Sequence, residues 1–357
     1  MAILWMDGFD LYDSLTDAAT SGWSVATAGT NTPAVNKTAG RTGGSAFDLH
    51  DNNSRLQFAL PVVQALSEVR VYSIALKFIT VFIASGTSGI LELWELDSSR
   101  AALGMRVSNG GGVSLVSAWN NGDTITTDFS FVLDTWYRVD LKVTAPSVAG
   151  SSTSRTSAVE LYVDGNLIGS GDMHLSWQTG QVGYVRLGGS TVNGHTYFDD
   201  LVVSNDTGSV NTGILGDVII ETLRPDGDGS AQDWTANTGT ASGAIDDSNG
   251  SSDGDSTYIS SSVVGDKSEF SLTDLPDLSA SILGVQTSVK SKKTDSGDRT
   301  IRSYLLSGSS VANDASFGPA TSYTWNRNAV VELNPDGGAA WSDSTVNALE
   351  VGLETVT

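Results

Sequence analysis

The sequence predicts an all-β protein: an antiparallel two-sheet sandwich followed by a second, smaller β-sandwich. Three observations predict it. Trp136-Tyr-Arg-Val-Asp-Leu-Lys-Val143 alternates without a break, with Tyr137, Val139, Leu141 and Val143 facing one way and Trp136, Arg138, Asp140 and Lys142 the other. A period of two marks a half-buried strand. Val159-Glu-Leu-Tyr-Val163 alternates in the same way and runs into Asp164-Gly165. Asp-Gly readily supplies the two positive φ values of a type I′ turn, so the chain folds straight back through Leu167 and Ile168. Finally, 39 glycines and many Ser and Thr residues separate short apolar runs, as tight turns between short strands require.

In chain order, Ile3–Tyr12 reads as the first strand, and 13–46 as loop with Trp23 as a core anchor. Short strands follow at Phe47–Leu49 and Leu56–Leu60. Glu68–Ile83 is a long strand whose alternation slips near Ser73, which predicts a bulge there. Ile90–Leu96, Ala101–Val107 and Val113–Ala118 follow across short turns, so that four successive strands make a meander. Residues 144–157 are a low-complexity loop and Tyr197–Val203 is a late strand. No segment before residue 340 has helical period. Domain boundaries are set at 1–208 for the first sandwich, 209–216 for a linker and 217–357 for the second. The second domain opens on a Val218–Leu223 strand and continues through Val285–Ser291, Ile301–Leu306, Val330–Leu333 and Leu349–Val356. One short helix is placed near Trp341–Ala348 with Ser342 as its cap.

The 357 residues carry a net charge of −22, split as −9 before residue 213 and −13 after it. The densest basic stretch is Lys290, Lys292 and Lys293, which cannot displace counterions from a nucleic acid or hold an anionic membrane surface. There is no cysteine, hence no disulfide or thiol chemistry. Met1-Ala-Ile-Leu-Trp5 lacks a basic leader region, and the apolar run Val69–Ala84 is too short to span a bilayer and carries Arg70 and Lys77. The expectation is a chain made in a cytoplasm, without membrane insertion and without a nucleic-acid partner.

Trp136-Tyr137, the Asp164-Gly165 hairpin and Phe198-Asp199-Asp200-Leu201, in this order, resemble the concanavalin A-like, laminin-G-like jelly-roll family. Gly40-Arg-Thr-Gly-Gly-Ser-Ala-Phe47 is similar to its early Gly-Gly strand, and Met6-Asp-Gly-Phe9 to its opening strand. The resemblance covers 1–208 and implies a jelly-roll β-sandwich. Further on, Gly216-Asp-Val-Ile-Ile-Glu-Thr-Leu-Arg-Pro225, Val264-Gly-Asp-Lys267 and Trp341 with Asn347-Ala-Leu-Glu350 resemble tailed-bacteriophage virion proteins. That likeness implies a setting, a phage particle assembled in a host cytoplasm, and no mechanism.

The fold also hosts β-glucanases, which need two carboxylates flanking the scissile bond. The nearest text is Glu92-Leu-Trp-Glu-Leu-Asp97, whose order is wrong: Glu92 and Trp94 share one face, Glu95 and Asp97 the other. The three histidines, His50, His174 and His195, stand in no nucleophile or zinc context. The resemblance implies Ca²⁺ on the late Asp-Asp strand, at Asp199 or Asp200, with Asp7 approaching from the first strand. A second oxygen-rich candidate is Asp226-Gly-Asp-Gly229 with Asp253-Gly-Asp255, which lacks the closing Glu of an EF-hand loop. In either place, carboxylates capping backbone amides or solvating a loop are the alternative. Sugar recognition needs aromatic platforms beside polar groups. Trp119, Asn120, Asn121, Trp177 and Gln178 sit near loops and are the expected contacts, with Trp94 and Trp136 also available.

The sequence therefore reads as a non-enzymatic structural protein of a tailed-phage virion, a tail appendage or a capsid decoration. Its jelly-roll is displayed outward toward host-surface glycan, and its second domain anchors it to other virion proteins or forms a homo-oligomer, a trimer by analogy with such appendages. A stand-alone carbohydrate-binding module and a glycoside hydrolase are the alternatives.

Overall fold

The structure, a computed structural model, describes residues 2–27, 33–50, 54–79, 87–96, 101–117, 122–147, 156–175, 181–188, 194–248, 251–277, 280–313 and 316–357. It divides into two compact units, Ala2–Ile220 and Glu221–Thr357.

The strands of the first unit are β1 (Ile3–Asp7), β2 (Trp23–Thr27), β3 (Ala34–Asn36), β4 (Ala46–His50), β5 (Arg55–Ala59), β6 (Val69–Phe78), β7 (Thr87–Glu95) and β8 (Ala101–Ser108). They continue as β9 (Gly112–Ser117), β10 (Thr124–Ser130), β11 (Trp136–Thr144), β12 (Ser157–Val163), β13 (Asn166–Met173), β14 (Val182–Gly188) and β15 (His195–Asn205). An eight-stranded sheet runs β13-β12-β11-β6-β15-β4-β3, with β1 also on β15, and a seven-stranded sheet runs β10-β9-β8-β7-β14-β5-β2. The chain crosses repeatedly between the two, as in a jelly-roll sandwich. Between the sheets lie Leu76, Phe78, Leu91, Leu93, Met105, Leu141, Leu161, Val185 and Phe198, all without exposed surface. Trp23 of one sheet meets Phe47 of the other at 4.8 Å between ring centres, confirming it as an anchor.

The Asp164-Gly165 hairpin forms as the sequence requires, with φ of 48° and 76°. Several elements differ from expectation. The meander is β7–β10, because β6 belongs to the opposite sheet. The bulge lies opposite Ser73 rather than beside it: β15 inserts a residue between Asp199 and Val202, with Asp200 at φ 53°. The slip in β6 has another cause. Val71, Ser73 and Ala75, on the face away from the core, are buried as well, so both faces are selected for small or apolar groups. After β1 the chain forms a one-turn helix, α1 (Leu15–Ala19), capped by Ser14, too short to show a period. Residues 218–223 form no strand, and 217–220 pack as part of the first unit.

The second unit is also antiparallel. Its strands β16 (Pro225–Gln232), β19 (Lys267–Leu272), β24 (Glu350–Thr355), β21 (Ile301–Ser307) and β22 (Ser310–Asn313) form one sheet in that order. Two further pairs join β17 (Thr235–Ala236) to β18 (Ile259–Ser260) and β20 (Ser288–Ser291) to β23 (Thr324–Arg327). The predicted helix is α2 (Asp343–Asn347), and Ser342 and Thr345 form its capping box. Leu305, Trp341, Val346 and Leu349 make its core. No helix among the described residues is long and apolar enough to cross a membrane.

Candidate functional site

The three carboxylates proposed for calcium are engaged by the protein itself. Asp7 accepts from the Phe9 amide at 3.1 Å, from the Tyr12 hydroxyl at 2.6 Å and from Trp23 Nε1 at 3.0 Å. It is a clasp holding the opening strand to the aromatic core, 1% exposed. Asp199 accepts from the Arg41 and Asp200 amides, both at 2.8 Å. Asp200 Oδ1 accepts the Ile220 amide at 2.8 Å, and its Oδ2 faces Arg41 at 3.7 Å. Among the described residues no group of three or more His, Asp or Glu is gathered as a metal would need. In the acidic stretch of the second unit, Asp226 accepts from Ser271, Asp228 from the Ser242 amide, Asp253 from Thr257 and Asp255 from Lys292 and Tyr323. Of these contacts, the one from the Ser242 amide caps a backbone donor, and the others are side-chain hydrogen bonds and an ion pair.

Asp199 and Asp200 belong to a buried ionic network. Arg138, without exposed surface, donates to the Asp200 carbonyl at 2.6 Å and to the Val218 carbonyl at 3.5 Å. Its Nε lies 3.6 Å from Asp140, equally buried. Arg41 pairs with Asp217 and donates to the Val218 carbonyl at 3.2 Å. Burial, and then the Asp200 charge, push the Asp199 carboxyl well above the usual carboxylate range, against the pull of its two backbone amides. Burial also raises Asp140, opposed by Arg138. Raised folded-state values mean that the native state binds these protons more tightly than the unfolded chain does. Their contribution is complete below the unfolded value of about 3.9 and is lost as pH rises through the folded values. Melting temperature should therefore fall from mildly acidic toward neutral pH, and Asp199→Asn should flatten that slope whatever it does to absolute stability. An unchanged slope in the variant would remove Asp199 from the account.

The expected contact residues Trp119, Asn120, Asn121, Trp177 and Gln178 lie outside the described residues. Their flanks meet: the His174 amide donates to Asp123 at 2.5 Å, and His174 Nδ1 lies 2.8 Å from the same oxygen. The hydrogen bonds from His174 hold the Asp123 carboxyl below its ordinary range.

The described residues converge instead on the outer face of the seven-stranded sheet. Leu91, Leu93, Val185, Leu187, Leu56 and Phe58 point into the core, so Glu92, Trp94, Tyr184, Arg186, Arg55 and Gln57 point out. Register sets Gln57, Arg186, Glu92 and Gly104 directly opposite one another across four strands, with Tyr184 opposite Trp94 in the adjoining row. The Arg186 guanidinium lies 3.3 Å from the centre of the Trp94 ring, and Arg186 Nε donates to Gln57 at 2.5 Å. Trp94 Nε1 donates to Glu92 at 3.0 Å, and Arg55 approaches the same carboxylate at 4.0 Å. One glycine makes room for Glu92: a Cβ on Gly89 would sit 2.4 Å from its Oε1. Partial burial lowers Arg186 from its ordinary value, while Glu92 opposes the shift. A planar cation stacked on an indole and tied at its edge is a fixed donor array, and Glu92 beside it is an acceptor. Glu95, by contrast, is completely buried on the opposite face, and Asp97 lies outside the described residues. Alternation had shown that Glu92 and Trp94 share a face, but Arg186, Gln57 and Arg55 arrive from strands distant in sequence.

No protein-family model matches the chain, and no curated protein matches it. Solved structures do. The globular domain of T. cruzi calreticulin is 13% identical, with 57% of this chain and 88% of that one covered at a TM-score of 0.41. Alginate lyase vAL-1 from a Chlorella virus is 10% identical, covering 57% and 99% at 0.39. Domain 4 of an extracellular arabinanase from Geobacillus stearothermophilus, in complex with arabinotriose, is 15% identical, covering 57% and 92% at 0.38.

Proposed function

We propose that the first unit is a non-enzymatic saccharide-binding β-sandwich that uses the outer face of its seven-stranded sheet. The stacked Trp94–Arg186 pair beside Glu92 carries the reading. It offers a flat surface for the C–H face of a sugar ring, with donors and an acceptor at its edge for hydroxyls or a carboxylate. The array is held by Gln57 and by cross-strand register, so little ordering cost remains on binding. Hydrolysis is not favoured: Glu92 and Glu95 point to opposite sides of one strand, so this stretch cannot place two carboxylates around a glycosidic bond. On a glycan array, wild type should give hits that Trp94→Ala weakens at least tenfold, about 1.4 kcal/mol, and the bound saccharide should be recovered uncleaved. A folded wild-type protein with no hit would sink the reading.

The virion resemblance of 216–225, 264–267 and 341–350 carries a second reading, compatible with the first. In it the same module is displayed on a tailed-phage particle as a tail appendage or capsid decoration, facing host-surface glycan, while the second unit anchors it or trimerises. The net charge of −22 suits many crowded copies that must stay soluble. Mass spectrometry of purified particles tests this: peptides of this chain are expected, and particles without them would refute it.

A further inference from the structure

The opposite face of the sandwich carries a second built platform. Across the outer surface of the eight-stranded sheet, Trp136 lies opposite Lys77, Lys77 opposite Tyr197, and Tyr197 opposite Asp48, one row over β11, β6, β15 and β4. Lys77 Nζ stands 5.4 Å from the Trp136 ring centre and 5.6 Å from that of Tyr197, so the two rings are at most about 11 Å apart with an ammonium between them. Two strand spacings, about 9.6 Å, give the same separation, which is comparable to the length of a disaccharide. At one end of the row Asp134, 76% exposed, lies 3.5 Å from Lys77. At the other, His195 Nδ1 meets Asp48 at 2.9 Å, and the His195 and Tyr197 rings are 6.3 Å apart. Partial burial and the Asp48 charge raise the Tyr197 phenol.

The platform is firmly supported. Phe131, 3% exposed, packs on Phe78, Phe129 and Tyr137 at 5.0–5.3 Å beneath the turn that precedes Trp136. The Asp134 amide ties that turn to the Phe78 carbonyl at 2.6 Å. Half-buried rings at this spacing, with a central ammonium and a carboxylate–imidazole pair at the edge, meet the requirements of a chain of sugar rings.

We propose that this face is a second saccharide site, independent of the Trp94 face. It takes two consecutive sugar rings over Trp136 and Tyr197, with an oxygen acceptor, hydroxyl or carboxylate, on Lys77. The inference rests on the saccharide-binding reading of the first unit and makes that unit bivalent. Two sites on opposite faces would bind one long polysaccharide, or cross-link two, with an avidity neither site has alone.

The test is native electrophoresis of the full chain through gels containing polygalacturonate or a neutral β-glucan. The two gels separate a carboxylate on Lys77 from a hydroxyl. Wild type should be retarded in at least one of them. Trp94→Ala should keep a residual retardation, Lys77→Met and Trp136→Ala should each weaken retardation several-fold, and Trp94→Ala/Trp136→Ala should migrate as in a plain gel. Lys77→Met preserves the stem packed between the rings, so its effect is not one of misfolding. If Trp94→Ala alone abolishes retardation while Lys77→Met and Trp136→Ala leave it unchanged, the second site is refuted and the first stands. If wild type is retarded in neither gel, the second site falls, and the Trp94 face stands or falls with the glycan array.

Discussion

Arg138→Ala is expected to destabilise the first unit by roughly 3–5 kcal/mol, the cost typical of removing one partner from a buried ion pair. For a unit of this size the loss should appear as a fall in melting temperature of about 10 °C. The reason is specific. Asp140, fully buried, faces Arg138 at 3.6 Å, and the carbonyls of Asp200 and Val218 take their donors from the same guanidinium. Truncation strands one charge and the Asp200 carbonyl together, while the Val218 carbonyl keeps its donor from Arg41. Replacing the charged pair as a unit, in Arg138→Met/Asp140→Leu, removes the stranded charge and should recover a good part of the loss, because a buried pair contributes little beyond an apolar one of similar volume. If both variants melt like wild type, the network does not hold the sandwich together. If the double variant is as unstable as the single, the Asp200 carbonyl rather than the pair carries the cost.

A fragment ending at residue 208 should melt far below one ending at Ile220, or fail to fold. Sequence alone draws the first boundary at 208, with a linker at 209–216. In the structure the next four residues complete the jelly-roll. The Ile220 amide satisfies Asp200 Oδ1, Asp217 pairs with Arg41, and the Val218 carbonyl accepts from Arg41 and Arg138. Ile220 also lies against Gly8, where a Cβ would sit 2.9 Å from its Cγ2, which accounts for glycine in the opening-strand motif. Without 209–220, Asp200 keeps its left-handed φ of 53° but loses the contact that stabilises it, and Arg138 loses an acceptor. Several kcal/mol are at stake by the same arithmetic as above. Equal melting of the two fragments would return the boundary to 208.

What was legible in the sequence was local. Asp164-Gly165 dictates its own turn, Ser342 its own helix cap, and Trp23 is too large and apolar to sit anywhere but a core. Faces were legible too, where alternation is unbroken: Glu92 and Trp94 on one side, Glu95 on the other. What could not be read is what covers a face. Arg138 alternates with core residues and so reads as solvent-facing, yet it has no exposed surface and reaches residues 62 and 80 positions further along the chain. Val218-Ile-Ile220 is apolar because it packs, and that apolarity reads as a strand. That Asp7 accepts from Tyr12 and Trp23 could not be read either, because both partners reach it only in the fold. The Trp94 platform needs the register of β5, β14 and β7, which one chain's alternation does not specify.

The most direct test of saccharide binding on the seven-stranded sheet is the indole N–H resonance of Trp94, assigned through Trp94→Phe and followed during titration with a saccharide that the array identifies. Its Nε1 donates to Glu92 and its ring stacks with Arg186, so a sugar docking on the pair alters its environment. A saturable shift of this resonance with the same affinity as the bulk binding is expected. Saturable binding that leaves the Trp94 indole unmoved would contradict it.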